Sequence, residues 1–139
     1  MSAEELIESL KSAIESQLGL PVVLLPQRAK NNSARIELLF QDIAENGEKN
    51  EKLLFLAEFR TAGTHSGWLS KTISFNRKVR RLSNDFIPVD FNGIKLRCYW
   101  VKNGTAGWQY PSEDESSMPA EYVNSWRCEL DVPSRLLEE

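Results

Sequence analysis

The sequence predicts an α+β fold: one domain over residues 1–139, with a mostly antiparallel sheet of four to six strands packed against two amphipathic helices. Three observations carry that prediction. Apolar and polar residues alternate with period two in four long runs, which is the pattern of half-buried strands. Two other runs repeat at helical spacing and are polar on the opposite side. Breaks rich in Gly, Pro and Asn separate them. The centre is the stretch Ala34 to Gly63, where two strand-like runs flank a charged loop, Ala44 to Lys52. Ile36, Leu38 and Phe40 share one face of the first run, and Phe55, Ala57 and Phe59 share one face of the second. With Asn46-Gly47 between them, they read as a hairpin with one oily face. A lone hairpin is marginal in water, so the remaining chain has to cover that face or extend the sheet.

The elements follow in order. Ser2 with Glu5 fits a capping box. Ala3, Leu6, Ile7, Leu10, Ala13, Ile14 and Leu18 then form an apolar arc opposite Glu4, Glu8, Lys11, Ser12 and Glu15. Gly19 and Pro21 end this first helix. Its acidic outer face favours packing on a sheet over lying on a membrane. Pro21 to Pro26 is a short strand bounded by prolines, suited to a sheet edge, and Gln27 to Ser33 is a polar connection. After the hairpin, Thr61 to Gly67 is a small-residue loop holding the only histidine, His65. Beside Ser66 it has no recognisable orienting acid or oxyanion site, so a loop histidine is expected.

Trp68 to Asn84 is the second helix, with Trp68, Leu69, Ile73, Phe75, Val79 and Leu82 on the half expected to be buried. Lys71, Arg77, Lys78, Arg80 and Arg81 occupy most of the rest. That basic half is either a solvated face or a docking surface for an acidic neighbour or nucleic acid. Phe86 to Gly93 reads as a brief strand closing on an Asn-Gly turn, and Ile94 to Val101 as a third clear strand. Lys102 to Glu121 is irregular, with an acidic run Glu113, Asp114, Glu115. Loops of this length are usually functional or disordered. Trp108 and Tyr110 within it are either exposed anchors for a protein partner or folded back on the sheet. Tyr122 to Val132 is a fourth strand, placed centrally, and Pro133 ends it; the last residues are too short for an element of their own.

Composition narrows the class. Of 139 residues 41% are hydrophobic and 27% charged, which suits a globular domain. A net charge of -3 argues against a chain whose main work is gripping phosphates. The N-terminus lacks a signal-peptide pattern and no apolar run is long enough to span a bilayer, so a cytosolic chain is expected. Cys98 and Cys128 lack metal-ligand spacing and are expected as buried free thiols. No metal, cofactor or catalytic residue is expected.

The order of an amphipathic N-terminal helix, a hairpin with a charged tip, a second helix, and a terminal strand after a long loop resembles the tail-terminator proteins of long-tailed bacteriophages and related prophages. The resemblance covers Ser2 to Pro133 and rests on element order and size. It implies a structural virion protein, present in the bacterial cytoplasm during assembly and then in the virion tail. It further implies a hexameric ring that caps the tail tube, whose partners are other copies of itself, the tail tube protein and the head–tail connector. No membrane is implied, and nucleic acid enters only as something that passes through a lumen. A small acidic secretion-type chaperone, holding a client segment as a dimer, is the alternative. A ring needs two different surfaces that meet. The basic half of the second helix and the acidic loops at Glu45 to Glu51 and Glu113 to Glu115 are the candidates.

Overall fold

The structure is a computed structural model, described over residues 2–27, 33–82, 85–111 and 119–137. Its elements are α1 (Ala3–Leu18), β1 (Val22–Leu24), β2 (Arg35–Glu45), β3 (Asn50–Ala62), α2 (Trp68–Leu82), β4 (Phe86–Phe91), β5 (Ile94–Lys102), β6 (Gly107–Gln109) and β7 (Glu121–Pro133). They form the α+β fold that the patterning predicts. One sheet runs β1-β2-β3-β7-β5-β4, and β6 adds to β7 off that path. Every pair is antiparallel except β1 with β2, so the sheet is mixed at one edge.

Local chemistry sets the boundaries. The Ser2 side chain accepts the Glu5 amide at 3.2 Å, filling one of the free donors of the first turn of α1. Gly19, at φ 67°, takes the left-handed stop and donates its amide to the Glu15 carbonyl at 2.9 Å. Asn92 and Gly93, at φ 52° and 82°, make the tight turn from β4 to β5, and the Asp90 carboxylate accepts the Gly93 amide.

The core lies on one face of the sheet. Ile36 and Leu38 from β2, Phe55, Ala57 and Phe59 from β3, and Trp126, Cys128, Leu130 and Val132 from β7 are buried there. Trp100, Cys98 and Leu96 of β5 and Phe91, Val89 and Ile87 of β4 continue the layer. Leu6, Leu10, Ile14 and Leu18 of α1 close it over β4 and β1, and α2 lies against β3 and β5. β7 is central: β3 pairs along all of it, while β5 takes Trp126 to Asp131 on its other side and β6 takes Glu121 to Val123.

Four expectations need correction. Phe40 is not under the helices. An extra residue between Phe40 and Asp42 shifts the β2–β3 register, and Phe40 is 46% exposed, with its ring edge-on to Phe55 at 5.6 Å. Leu69 and Ile73 are 54% and 43% exposed, because α2 buries only Thr72, Phe75 and Val79. The charged loop of the hairpin shrinks to Asn46–Lys49, since both strands run on past it. The segment after Pro133 is not without structure: Ser134–Leu136 forms a 3₁₀ turn, tied by the Ser134 amide to the Lys49 carbonyl at 2.8 Å, with Leu136 buried. The predicted end of the second helix at Asn84 falls outside the described residues, as do 28–32 of the polar connection.

Candidate interaction surfaces

α2 is fixed in rotation by what it buries. Phe75 stacks on Phe59 with ring centroids 4.7 Å apart, and its edge meets Trp100 at 6.5 Å. Beside it Asn124, buried on β7, donates to the Asn76 side chain at 2.8 Å and accepts from Lys102, whose ammonium also lies over the Trp126 ring. Desolvation lowers the Lys102 pKa. With that side committed, the opposite side carries Leu69 and Ile73 together with Arg77, Arg80 and Arg81, all exposed, while Lys71 is exposed on the far flank of the helix. Lys78 is different. It is half-buried and donates to the Leu18 carbonyl at 3.3 Å, so it closes the C-terminal end of α1, where a cation meets the negative pole of the helix. Ser70, Ile73, Ser74, Arg77, Lys78 and Arg81 line a shallow depression on this face. Arg80 and Arg81 also complement the C-terminal pole of their own helix.

Trp108 is folded back rather than projecting. Its ring meets Trp68 edge-on at 5.1 Å and Tyr122 at 5.7 Å, and a side chain on Gly63 would come within 3.0 Å of it. It is still 41% exposed, while Tyr110 is 78% exposed at the end of β6. Glu113, Asp114 and Glu115 lie outside the described residues.

Two features escape the sequence reading. The first is the free outer half of β2. β1 pairs only with Ile36–Leu38, so among the described residues no strand lies on the outer side of Leu39 to Glu45. Phe40 and Ile43 are exposed on the face that carries the core further along the sheet, and Leu39 on the reverse face. Glu45 and Glu48 follow toward the tip and Asp42 lies on the reverse face, all exposed. The second is an ion-pair network on the reverse of the sheet. Arg35 lies 2.8 Å from Glu37 and 2.8 Å from Glu121, and Arg60 reaches Glu121, Glu58 and Glu37 at 3.2, 3.4 and 3.6 Å. The strand register sets Arg35 opposite Arg60 and Glu37 opposite Glu58, like charge against like. Diagonal pairs and Glu121 of β7 resolve that conflict. Burial works against the Arg35 charge, but Glu121 and Glu37 outweigh it and raise its pKa. Arg60 also donates to Gln109 at 2.9 Å, which holds β6 to the sheet. The signal was present in the complementary Arg-x-Glu and Glu-x-Arg spacings of the two strands.

Among the described residues, no three His, Cys, Asp or Glu side chains are grouped as metal ligands, and no helix is long and apolar enough to cross a membrane. Cys98 and Cys128 are free and fully buried; burial, and then contact with Cys98, pushes the Cys128 thiol well above its usual range. Such a thiol is a poor nucleophile. His65 sits half-buried in the turn before α2, where its carbonyl accepts the Trp68 amide at 3.2 Å.

No protein-family model matches the chain, and no curated protein matches it. Among solved structures, one whose name states no function aligns over 95% of this chain and 96% of its own, at 11% identity and a TM-score of 0.48.

Proposed function

We propose that this chain is a structural assembly protein of the tail-terminator kind, which joins copies of itself into a ring at the end of a tail tube and acts through surfaces rather than through chemistry. The observation that carries the reading is the outer side of α2. Leu69 and Ile73 stand exposed beside Arg77 and Arg81 on a helix whose opposite side is locked into the core. The charges beside these two side chains are the arginines, Lys71 being on the far flank of the helix; a purely solvated face has no use for two large aliphatic side chains there, whereas an interface core with a charged rim does. The tube protein and the head–tail connector are the further partners of this reading.

Light scattering across a range of concentrations and negative-stain microscopy, with and without tail tubes, test it. Rings, alone or on tube ends, are expected. A monomer at every concentration that ignores tubes overturns it. The exposed pair Phe40 and Ile43, on one face, favours one other reading, a secretion-type chaperone. A stable dimer that holds an extended apolar client and never forms rings decides for that alternative.

A further inference from the structure

We infer that the β2–β3 tip of one copy seats on the outer side of α2 of the next copy, Phe40 and Ile43 against Leu69 and Ile73, with Glu45 and Glu48 facing Arg77 and Arg81. The inference rests on the assembly reading and names the contact that builds the assembly.

Three observations lead to it. Charge and apolarity match: each surface carries large exposed apolar side chains, and Arg77 and Arg81 beside those of α2 are opposite in sign to Glu45 and Glu48 at the tip, where Lys49 is also exposed. Next, the free half of β2 is blunted against pairing with another strand. The irregularity between Phe40 and Asp42 breaks the ladder, and the Asp42 carboxylate accepts the Ile43 amide at 2.8 Å. A bulge and an acidic rim are devices that stop edge-to-edge addition, so what this edge offers is side chains, and a helix face fits them. Finally, one chain cannot satisfy both surfaces itself. α2 is anchored over Phe59, and at about 3.3 Å per residue Phe40 and Ile43, opposite Phe55 and Leu53, stand roughly 13 and 20 Å further along the hairpin. Two different, separated surfaces meeting between copies give a head-to-tail contact, which closes into a ring or propagates.

Charge exchange tests it. One variant carries Glu45→Arg and Glu48→Arg, and a second carries Arg77→Glu and Arg81→Glu; far-UV circular dichroism checks that both fold. All four positions are exposed. Each variant alone is expected to lose at least tenfold in association by light scattering. An equimolar mixture is expected to recover it, because every tip then meets an α2 of opposite sign. Disulfide capture between Ile43→Cys and Ile73→Cys proteins, with native Cys98 and Cys128 buried, is expected to link the two chains. Variants that assemble like the native chain overturn this pairing and leave the assembly reading standing. So does loss without recovery in the mixture, or an α2 variant whose only defect is in binding a DNA oligonucleotide. A native chain that never associates overturns both.

Discussion

At its open end near Ala62 the β2–β3 hairpin is enclosed: Phe59 lies under α2, β1 flanks β2, β7 flanks β3, and the reverse face is tied by Arg35, Arg60 and three glutamates. Toward the tip the same strands lose their cover on one side, and Phe40, which repeats the pattern of Ile36 and Leu38, is exposed. Alternation therefore says which side a residue is on and says nothing of how far along the strand the cover extends. That is decided by the placement of the helices and the shortness of β1, and it turns one apolar stripe into core at one end and surface at the other.

Substitutions can break or sharpen this contrast. The largest loss is expected for Phe59→Ala, about 3–5 kcal/mol in urea unfolding, since the ring is fully buried against Phe75. Arg35→Ala should cost about 2 kcal/mol, because Glu37 and Glu121 lose the closer of the two arginines they share and keep only Arg60, at 3.6 and 3.2 Å. Ser2→Ala removes the cap of α1 and should cost about 1 kcal/mol. Phe40→Ala should cost less than about 1 kcal/mol, the value of an exposed ring with one edge contact. A loss equal to that of Phe59 would mean the tip is covered after all. The smallest effect is in pH. The folded chain keeps the Cys128 proton where an unfolded thiol, at about 8.5, has lost it. The stability this contributes is intact below that range and drains away as pH rises beyond it. The urea midpoint should fall between pH 8 and 10, and fall less in Cys128→Ala. Lys102, with its lowered pKa, has the opposite slope but is common to both proteins.

The helices, the hairpin, the β4–β5 turn and the central last strand were readable because each has a local cause: a cap, a period, or an Asn-Gly pair. The extra residue near Gln41 was not, since nothing in Phe40-Gln41-Asp42 distinguishes a bulge from regular strand. The orientation of α2 was missed because its apolar arc is wider than what the sheet needs. Phe75 and Val79 suffice, and Leu69 and Ile73 turn outward. β6 is three residues long and depends on Trp108 meeting Tyr122 and Trp68, contacts no window of sequence displays. Of the interaction residues, the basic positions of α2 and the acidic loop Glu45 to Glu51 were legible, whereas the exposure of Phe40 and Ile43 beside that loop became visible only with the strand order.

The place of β7 bears on how the polypeptide is made. Without it, β1-β2-β3 and β4-β5 share no ladder. A ribosome emits about 58 residues between the end of β3 and the start of β7, so Phe55 and Phe59 wait with one neighbour absent until β7 has been made. Nascent chains stopped before Glu121 should therefore be sticky and protease-sensitive, and become resistant when the last strand slots in.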